Sequence, residues 1–196
     1  MKIAKVIASR SHIEYEAKVI SSRKADANLL PSDYGLASFV SMNLANAKVI
    51  AVVCNSRVIN PDYTISPQQP SQAIQRAVIT SEYSNSRLII LNLLVVGYVK
   101  DSQNRHQPPS EIIPADTDVY LLSTQEMLDF HRDPKGKLKL GYYDLIAGLD
   151  NVLAKSLLLL IIEQLEEHVP INERASLTLL RRNLAWQSTL KSLSKV

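Results

Sequence analysis

The sequence predicts an α+β fold, with a small N-terminal β-barrel, closed or partly open, followed by a C-terminal antiparallel two-helix hairpin. Three observations support this prediction. Leu88–Asp101 is the longest apolar stretch in the first two-thirds of the chain and is typical of a strand buried on both faces. From Asp144 onward the apolar period changes from two residues to 3.6. Pro170 then separates two segments of helical period. We therefore divide the chain into a β domain, residues 1–143, and a helical hairpin, residues 144–196.

The composition is that of an ordinary globular protein. The apolar fraction of 46% can build a sizeable core, and a net charge of +3 is too small to indicate a nucleic-acid partner by itself. Cys54 is the only cysteine, so no intrachain disulfide can form. The first residues carry charges throughout, unlike a signal peptide, and no stretch of about 18 apolar residues suggests a membrane span. We expect a cytoplasmic protein with no membrane partner and no cofactor.

The first half of the β domain reads as four strands. Lys2–Arg10 alternates weakly, and Ile13–Ile20 alternates more clearly. Leu36–Met42 and Lys48–Ile59 form a hairpin joined by Asn43–Ala47. In the second strand we expect one face to be buried and one to be wet, with Ile13, Tyr15, Ala17 and Val19 on the first and Glu14, Glu16 and Lys18 on the second.

The connections of this half follow from turn chemistry. Ser21–Asn28 is polar and reads as a loop, and Asp33–Gly35 is a turn. Asn60–Pro70 holds three prolines, which excludes a continuing sheet, and Ser71–Ser81 has the spacing of a short helix.

The second half of the β domain is built on the central strand, Leu88–Asp101. Gly97 within it permits a bend or a bulge. After a polar loop, Ser102–Ser110, a short strand follows at Asp118–Leu122. We then expect a short helix with a capping box at Ser123–His131, a turn at Asp133–Lys137 and a strand at Leu138–Tyr143 that closes the barrel region.

Two long helices complete the predicted fold. Asp144 is a plausible N-cap for Leu145–Val169, and Asn172 for Glu173–Leu193. Residues 144–169 carry five acidic side chains and one lysine, whereas residues 171–196 carry five basic side chains and one glutamate. Because the connection is short and the charges are opposite, the two helices should pack side by side and antiparallel.

The first of these helices contains a segment that is apolar on every side, Leu157–Ile162. One partner helix can cover only about half of such a segment, so the rest must contact the barrel or a second subunit. Both alternatives stay open. The candidate interface residues are Leu157, Leu158, Ile161, Ile162 and Leu165.

The last helix has a basic face that could contact the phosphates of nucleic acid. Its residues are Arg174, Arg181, Arg182 and Lys191. The same charges could instead pair with the acidic helix immediately upstream, and we favour this intramolecular interpretation.

Three further sets of residues resemble sites but have simpler explanations. His12 and Glu14 supply only two of the ligands that a metal site requires. Asp129, His131 and Asp133 could form an acid/base pair, although turns commonly select such polar residues. Cys54 lies in an apolar strand and is expected to be a small, inert buried side chain.

The strand and turn pattern of Met1–Tyr143 resembles the HAS-barrel, the small N-terminal barrel of HerA-type DNA-translocating ATPases and of the F-type ATP synthase α and β subunits. The resemblance rests on the order of strands and turns and on the glycine in the central strand. The matching segments are Lys5–Ser9, Ile13–Val19, Gly35–Met42, Lys48–Val58, Leu94–Val99 with Gly97, Ile113–Leu122, Ser123–Phe130 and Leu140–Tyr143.

The chain departs from that family where the ATPase would follow the barrel. No glycine belongs to a G-x-x-x-x-G-K-[ST] loop, since the only Gly-Lys pair is Gly136-Lys137 and the residue five before Gly136 is His131. The resemblance therefore implies a non-enzymatic assembly or adaptor module that forms a homo-oligomer and docks onto a HerA-like or other ring ATPase or a nuclease. The alternative is a nucleic-acid-binding accessory protein that uses the basic last helix.

Overall fold

The computed structural model of this 196-residue chain describes residues 1–20, 29–59 and 88–193, and within these ranges the side chains as far as Leu184. The described residues contain seven strands and four α-helices. The strands are β1 Lys2–Ser9, β2 Glu14–Val19, β3 Phe39–Asn43, β4 Lys48–Ile59, β5 Leu88–Lys100, β6 Gln103–Arg105 and β7 Asp118–Leu121. The helices are α1 Thr124–Phe130, α2 Tyr143–Ala147, α3 Ala154–His168 and α4 Arg174–Leu193.

Six strands close into an antiparallel barrel in the order β1-β7-β3-β4-β5-β2, with β2 returning to β1. The α+β prediction with an N-terminal barrel is confirmed, and the barrel is closed. Closure depends on β5, which pairs with β4 along one edge and changes partner along the other. There Leu91 pairs with Ala17 of β2, and Tyr98 pairs with Arg105 of β6.

The predicted irregularity at Gly97 is a β-bulge. Ile50 of β4 pairs with Gly97, whereas the next residue, Ala51, pairs with Val95, so Val96 is the extra residue on β5. A bulge bends the strand and increases its twist, which allows the short sheet to curve into a barrel.

Alternation along the strands separates two apolar layers. Val49, Ala51 and Val53 of β4 point into the barrel, and Ile50 and Val52 point outward beneath the helices. The side chains of the barrel interior are all at most 4% exposed, so the barrel is filled by its own residues. Both faces of the central strand are therefore buried, as its continuous apolar sequence predicts.

The outer layer joins the helices to the barrel in one apolar cluster. Leu94 and Val96 of β5 belong to it together with Phe130 of α1, Ile146 of α2 and Leu177 of α4. Among the described helices α3 contributes the most buried residues to this cluster, from Ala154 to Leu165. No helix among the described residues has the length and apolarity needed to cross a bilayer.

Two predicted elements differ from the structure. The single helix Leu145–Val169 is interrupted, because Gly148 ends α2 with its N–H bonded to the Asp144 carbonyl (2.9 Å), and the Asn151 side chain accepts the N–H of Leu153 (2.8 Å). Leu138–Tyr143 is not a barrel strand, since only Leu138 forms a bridge, with Arg132. The edge that this segment was expected to fill is closed by the pairing of β2 with β5.

Smaller differences occur at element ends. The third strand begins at Phe39 because Ala37 has a positive φ of 70°, which breaks an extended strand. β6 lies inside the predicted loop Ser102–Ser110, and Asn172 lies within a 3-10 turn, Ile171–Glu173, instead of capping α4. Three predicted segments fall outside the described residues. They are the loops Ser21–Asn28 and Asn60–Pro70 and the helix Ser71–Ser81.

Candidate functional site at the junction of barrel and helices

The candidate site lies where β6, α1 and residues 138–142 meet on the outside of the barrel. The sequence starts α1 with the predicted capping box, since the Ser123 hydroxyl accepts the Glu126 N–H (3.3 Å) and the Glu126 carboxylate accepts the Ser123 N–H (2.9 Å). Lys48 and the Ser123 backbone lower the pKa of Glu126 to about 2. The helix therefore has a fixed start, which positions His131 at its end.

His131 is fully buried with both ring nitrogens hydrogen-bonded. Its Nδ1 lies 2.6 Å from the Met127 carbonyl oxygen, and its Nε2 lies 2.6 Å from the Tyr142 hydroxyl. A carbonyl oxygen can only accept, so Nδ1 donates its proton to Met127. The Nε2 atom of the neutral ring then accepts a hydrogen bond from the Tyr142 hydroxyl. Burial lowers the pKa of His131 to about 4. The neutral imidazole therefore links α1 to Tyr142 through two hydrogen bonds.

His106 is the second histidine of the junction, and its ring is stacked on Phe130 with centroids 4.5 Å apart. The Gly141 N–H donates to Nδ1 (2.9 Å), so Nε2 carries the proton and donates to the Phe130 carbonyl (2.9 Å). Burial is the main cause that lowers the pKa of His106, and the nearby Lys139 ammonium lowers it further. His106 therefore ties β6 to both α1 and residue 141.

Two glycines allow these elements to approach so closely. A Cβ on Gly97 would lie 2.2 Å from the Arg105 carbonyl oxygen and 2.9 Å from the Phe130 ring. A Cβ on Gly141 would lie 2.9 Å from the His106 Cβ. Any larger residue at either position would push β6 or the 138–142 segment away from the barrel.

Beside this junction lies an open polar cleft with a volume of about 370 Å³. Its described lining comes from β6 and the two residues that follow it, and from the segment before α2. The lining residues are Asn104, Arg105, His106, Gln107, Lys139 and Gly141. The sequence analysis missed this cleft, because its two walls come from distant segments that share no motif.

The sequence analysis assigned possible chemistry to residues that the structure separates. His131 points into the core, Asp129 accepts from Gln125 at the surface (2.8 Å), and Asp133 accepts the N–H groups of Lys135 and Lys137 in a turn. These three residues therefore form no acid/base pair. Both histidines of the junction are consumed by structural hydrogen bonds.

The other isolated candidates also have structural roles. His12 Nε2 lies 2.6 Å from the Pro109 carbonyl oxygen, and no group of three or more metal-ligating side chains occurs among the described residues. Cys54 is buried and its thiol donates to the Asn92 carbonyl oxygen (3.3 Å). Burial and the charge of Glu14 raise the pKa of the Cys54 thiol to about 11, so it stays protonated near neutral pH.

The five candidate interface residues lie in the core of the single chain. Leu157, Leu158, Ile161, Ile162 and Leu165 are each at most 1% exposed and pack in the layer between α3 and the barrel. Of the two alternatives for this segment, the structure places these side chains against the barrel. Within the single chain, these five side chains are covered by its own residues.

The four candidate nucleic-acid residues behave differently from one another. Arg181 pairs with Glu166 of α3 (3.1 Å), and the Arg174 Nε donates to the Val169 carbonyl (3.0 Å). Both contacts are within the chain, in agreement with the intramolecular interpretation. Arg182 is exposed and forms no ion pair with a described residue. The side chain of Lys191 is not among those that the structure describes.

The sequence analysis placed Glu16 on the wet face of β2, but the structure buries it. It is 1% exposed, and its two carboxylate oxygens accept from Arg10 (Nε, 2.7 Å) and Arg57 (Nη2, 2.8 Å). The alternation of β2 is otherwise as predicted, with Tyr15 and Ala17 inside the barrel. The expected exposure of Glu16 is wrong because two long arginine side chains cover it.

The fold and the junction define a class of protein: a small closed antiparallel barrel whose outer surface is capped by helices. The chain belongs to the family described as "Domain of unknown function (DUF8166)", whose family model matches residues 1–194. That match spans both the barrel and the helices. No curated protein matches the sequence.

Proposed function

We propose that this chain is a non-enzymatic assembly or adaptor module of HAS-barrel type. In this proposal it forms a homo-oligomer in the cytoplasm and docks onto a HerA-like or other ring ATPase, or onto a nuclease that works with one. The single cysteine, Cys54, supports the cytoplasmic part of the proposal, because a fold that needs no disulfide suits a reducing compartment.

The observation that carries the proposal is the packed barrel interior. Side chains such as Leu91, Leu93 and Val95 are fully buried within it and pack in one apolar cluster. A barrel of this kind acts through its outer surface. The closed order of six antiparallel strands, with a bulge at Gly97, also suits the sequence resemblance over Met1–Tyr143.

The helical part has a supporting role in this proposal. We infer that α3 and α4 form the antiparallel hairpin that their short connection predicts. The contacts of Glu166 with Thr178 (3.4 Å) and Arg181 (3.1 Å) support this arrangement. In this proposal the hairpin follows the barrel where the ATPase domain follows it in the HAS-barrel family. The hairpin covers the outer surface of β4 and β5, and the remaining barrel surface is left for partners.

Light scattering on the purified chain tests the assembly claim. We expect a mass that is a multiple of 21.9 kDa at high micromolar concentration. A monomer under these conditions would contradict homo-oligomerisation. The measurement needs no variant, so it can precede every other test.

Affinity capture from an extract of the native host tests the docking claim. The extract should be treated with a nuclease, so that proteins bridged by nucleic acid are removed, and an unrelated tagged barrel serves as the control. We expect a ring ATPase or a nuclease to be enriched on the chain over the control. Enrichment of neither class would contradict the docking claim, whatever else is captured.

The second candidate function is nucleic-acid binding through the basic last helix. The observation that favours it is Arg182, whose exposed guanidinium has no acidic partner among the described residues. A titration with double-stranded DNA at several salt concentrations tests it, because each phosphate contact steepens the salt dependence. Unchanged binding by Arg182→Gln would argue against this helix as the contact.

A further inference from the structure

The cleft beside His106 has the dimensions of a ligand site. Its volume of about 370 Å³ lies at the lower end of the range of about 300–1,000 Å³ that is common for small-molecule pockets. It lies at the junction where β6, α1 and the segment before α2 are held together by hydrogen bonds. Its walls are therefore set by the fold.

Two cationic residues, Arg105 and Lys139, belong to the lining of this cleft. Arg105 and Lys139 are exposed, and neither forms an ion pair with any residue that the structure describes. The described lining contains no carboxylate. The Arg105 guanidinium lies 5.9 Å from the centre of the Tyr98 ring, a contact that restrains this long side chain.

The other lining groups decide which donors remain for a ligand. The Asn104 amide donates to the backbone carbonyls of Asp129 (2.6 Å) and Arg132 (3.2 Å), and His106 uses both ring nitrogens. These two side chains form walls that hold their positions. The side-chain donors of the lining that remain for a ligand belong to Arg105, Gln107 and Lys139.

Gly141 leaves space beside the side chains of Lys139 and His106. A Cβ there would lie 3.1 Å from the Lys139 Cε and 3.3 Å from the His106 Nδ1. With hydrogen in this place, the lysine side chain can lie along the wall of the cleft. Lys137 is exposed two residues earlier and extends the positive surface.

We propose that this cleft binds a phosphate group between Arg105 and Lys139, carried either by a nucleic-acid strand or by a small phosphoester. Phosphate oxygens accept several hydrogen bonds at once, which suits the planar fork of an arginine beside a lysine point charge. The proposal is independent of the adaptor function and uses none of the residues of the basic last helix.

The test compares two variants with the same change in charge. Arg105→Gln with Lys139→Gln removes the cations of the cleft, whereas Lys100→Gln with Lys155→Gln removes two exposed cations that do not line it. All four side chains are exposed, so both variants should fold, and a thermal melt checks this. The probes are inorganic phosphate, adenosine monophosphate and a fluorescent single-stranded oligonucleotide.

We expect binding to the wild-type chain, a loss of affinity of about tenfold or more in the cleft variant, and little change in the control variant. The two sources of phosphate are distinguished by the probes. An oligonucleotide that binds far more tightly than the monophosphate identifies a nucleic-acid strand, and the reverse order identifies a small phosphoester. Absence of binding by all three probes, or equal losses in both variants, would overturn the proposal.

Discussion

At the scale of single residues, two glycines set how closely the helical part approaches the barrel. Gly97 lies beneath Phe130 and the backbone of Arg105, and Gly141 lies against His106. Neither position has a positive φ, so the requirement is for space. The sequence analysis expected a bend or a bulge at Gly97 and no close contact. The bulge is present, and the close approach of β6 adds a second reason for glycine.

Gly97→Ala should destabilise the protein. The added methyl group would overlap the Arg105 carbonyl oxygen at 2.2 Å, which forces the backbone of β6 to move, at a cost of about 1–3 kcal/mol. Gly35→Ala is a matched control, because its nearest neighbour would lie at 3.7 Å, and it should change stability by less than about 0.5 kcal/mol. Urea melts of both variants measure the difference. Equal midpoints would remove close packing as the role of Gly97.

Acid should destabilise the junction through His131. Its pKa is lowered from 6.5 to about 4 in the folded chain, so between these values the unfolded chain binds the additional proton. Stability is therefore fully present above pH 6.5 and falls as the pH is lowered towards 4, by on the order of 2–3 kcal/mol. The lowered pKa of His106 acts in the same direction.

Urea melts from pH 4 to pH 7 on His131→Phe test this prediction. The variant removes the titrating ring, so the loss of stability with acid should be smaller than in the wild type, even though its absolute stability is lower. His168→Gln is the control, because His168 is exposed on α3, and it should keep the wild-type dependence. A His131→Phe variant with an unchanged pH dependence would contradict the assignment.

At the scale of secondary-structure elements, the connection between β5 and β6 is a two-residue turn with an unusual backbone. Lys100 pairs with Gln103, and the residues between them, Asp101 and Ser102, have φ of 50° and 58°. Two positive φ values define a type I′ turn, in which Gly is preferred at the second position. The chain tolerates a serine there at some cost in strain.

Ser102→Gly should stabilise the protein by about 0.4–1 kcal/mol, because glycine adopts a positive φ without strain. The same change at Ser56, an exposed residue in the extended strand β4, should destabilise the protein by a similar amount. Thermal melts of the two single variants give the two signs. A destabilising Ser102→Gly would mean that the serine side chain contributes more than its backbone costs.

The apolar face of α3 determines what charge insertion there should do. Leu158 and Ile162 are both fully buried between α3 and the barrel. Leu158→Glu with Ile162→Glu should therefore unfold the chain, since two charges in an apolar layer have no partners. Circular dichroism should show loss of the cooperative melt. A folded, smaller particle in light scattering would instead show that these residues hold subunits together.

Periodicity predicted the long elements but missed β6 and wrongly predicted a strand at Leu138–Tyr143, and local chemistry decided where the elements end. The central strand was predicted as Leu88–Asp101 and is observed as Leu88–Lys100, because its apolar sequence permits no other environment. The helix Leu145–Val169 was predicted without a break, since its apolar spacing continues past Gly148. The break comes from the cap at Gly148 and the side chain of Asn151, which a periodicity argument does not include.

At the scale of the whole molecule, the outer surface of the barrel and the helices share one apolar cluster, separate from the barrel interior. A single apolar cluster contains Val52 and Leu94 of the barrel together with Leu157 and Leu177 of the helices. A boundary at Tyr143 therefore divides the sequence but passes through this cluster. The outer apolar surface of the barrel and the apolar faces of the helices are buried against each other.

The full chain should therefore unfold in one cooperative transition. Far-ultraviolet and near-ultraviolet circular dichroism melts should coincide, and a chain truncated after Tyr143 should aggregate or lose its cooperative melt, because the outer surface of β4 and β5 would be exposed. The truncation is compared with Arg182→Gln, an exposed change that leaves the core intact. A truncated barrel with a sharp melt would show that the two parts are separate domains.

What the sequence could not predict at this scale are contacts between distant segments. Glu16 meets Arg57, which lies 41 residues later, so the burial of its carboxylate has no local signal in an alternating strand. The same holds for the cleft, whose walls come from Asn104–Gln107 and Lys139–Gly141. The sequence shows that His131 and His106 are present but not which groups they contact. Their partners, Tyr142 and Gly141, are brought to them only by the fold.

The pairing of β1 with β7 has a consequence for how the chain is made. Lys2 pairs with Tyr120, and the Leu121 N–H bonds to the carbonyl of Met1 (2.8 Å). A ribosome releases the chain from its N-terminus, so this edge of the first strand has no partner until Leu121 has emerged. Such an edge can recruit other growing chains, and contacts between distant residues also form slowly. Until β7 has been made, the nascent protein therefore carries an incomplete sheet that a chaperone could shield.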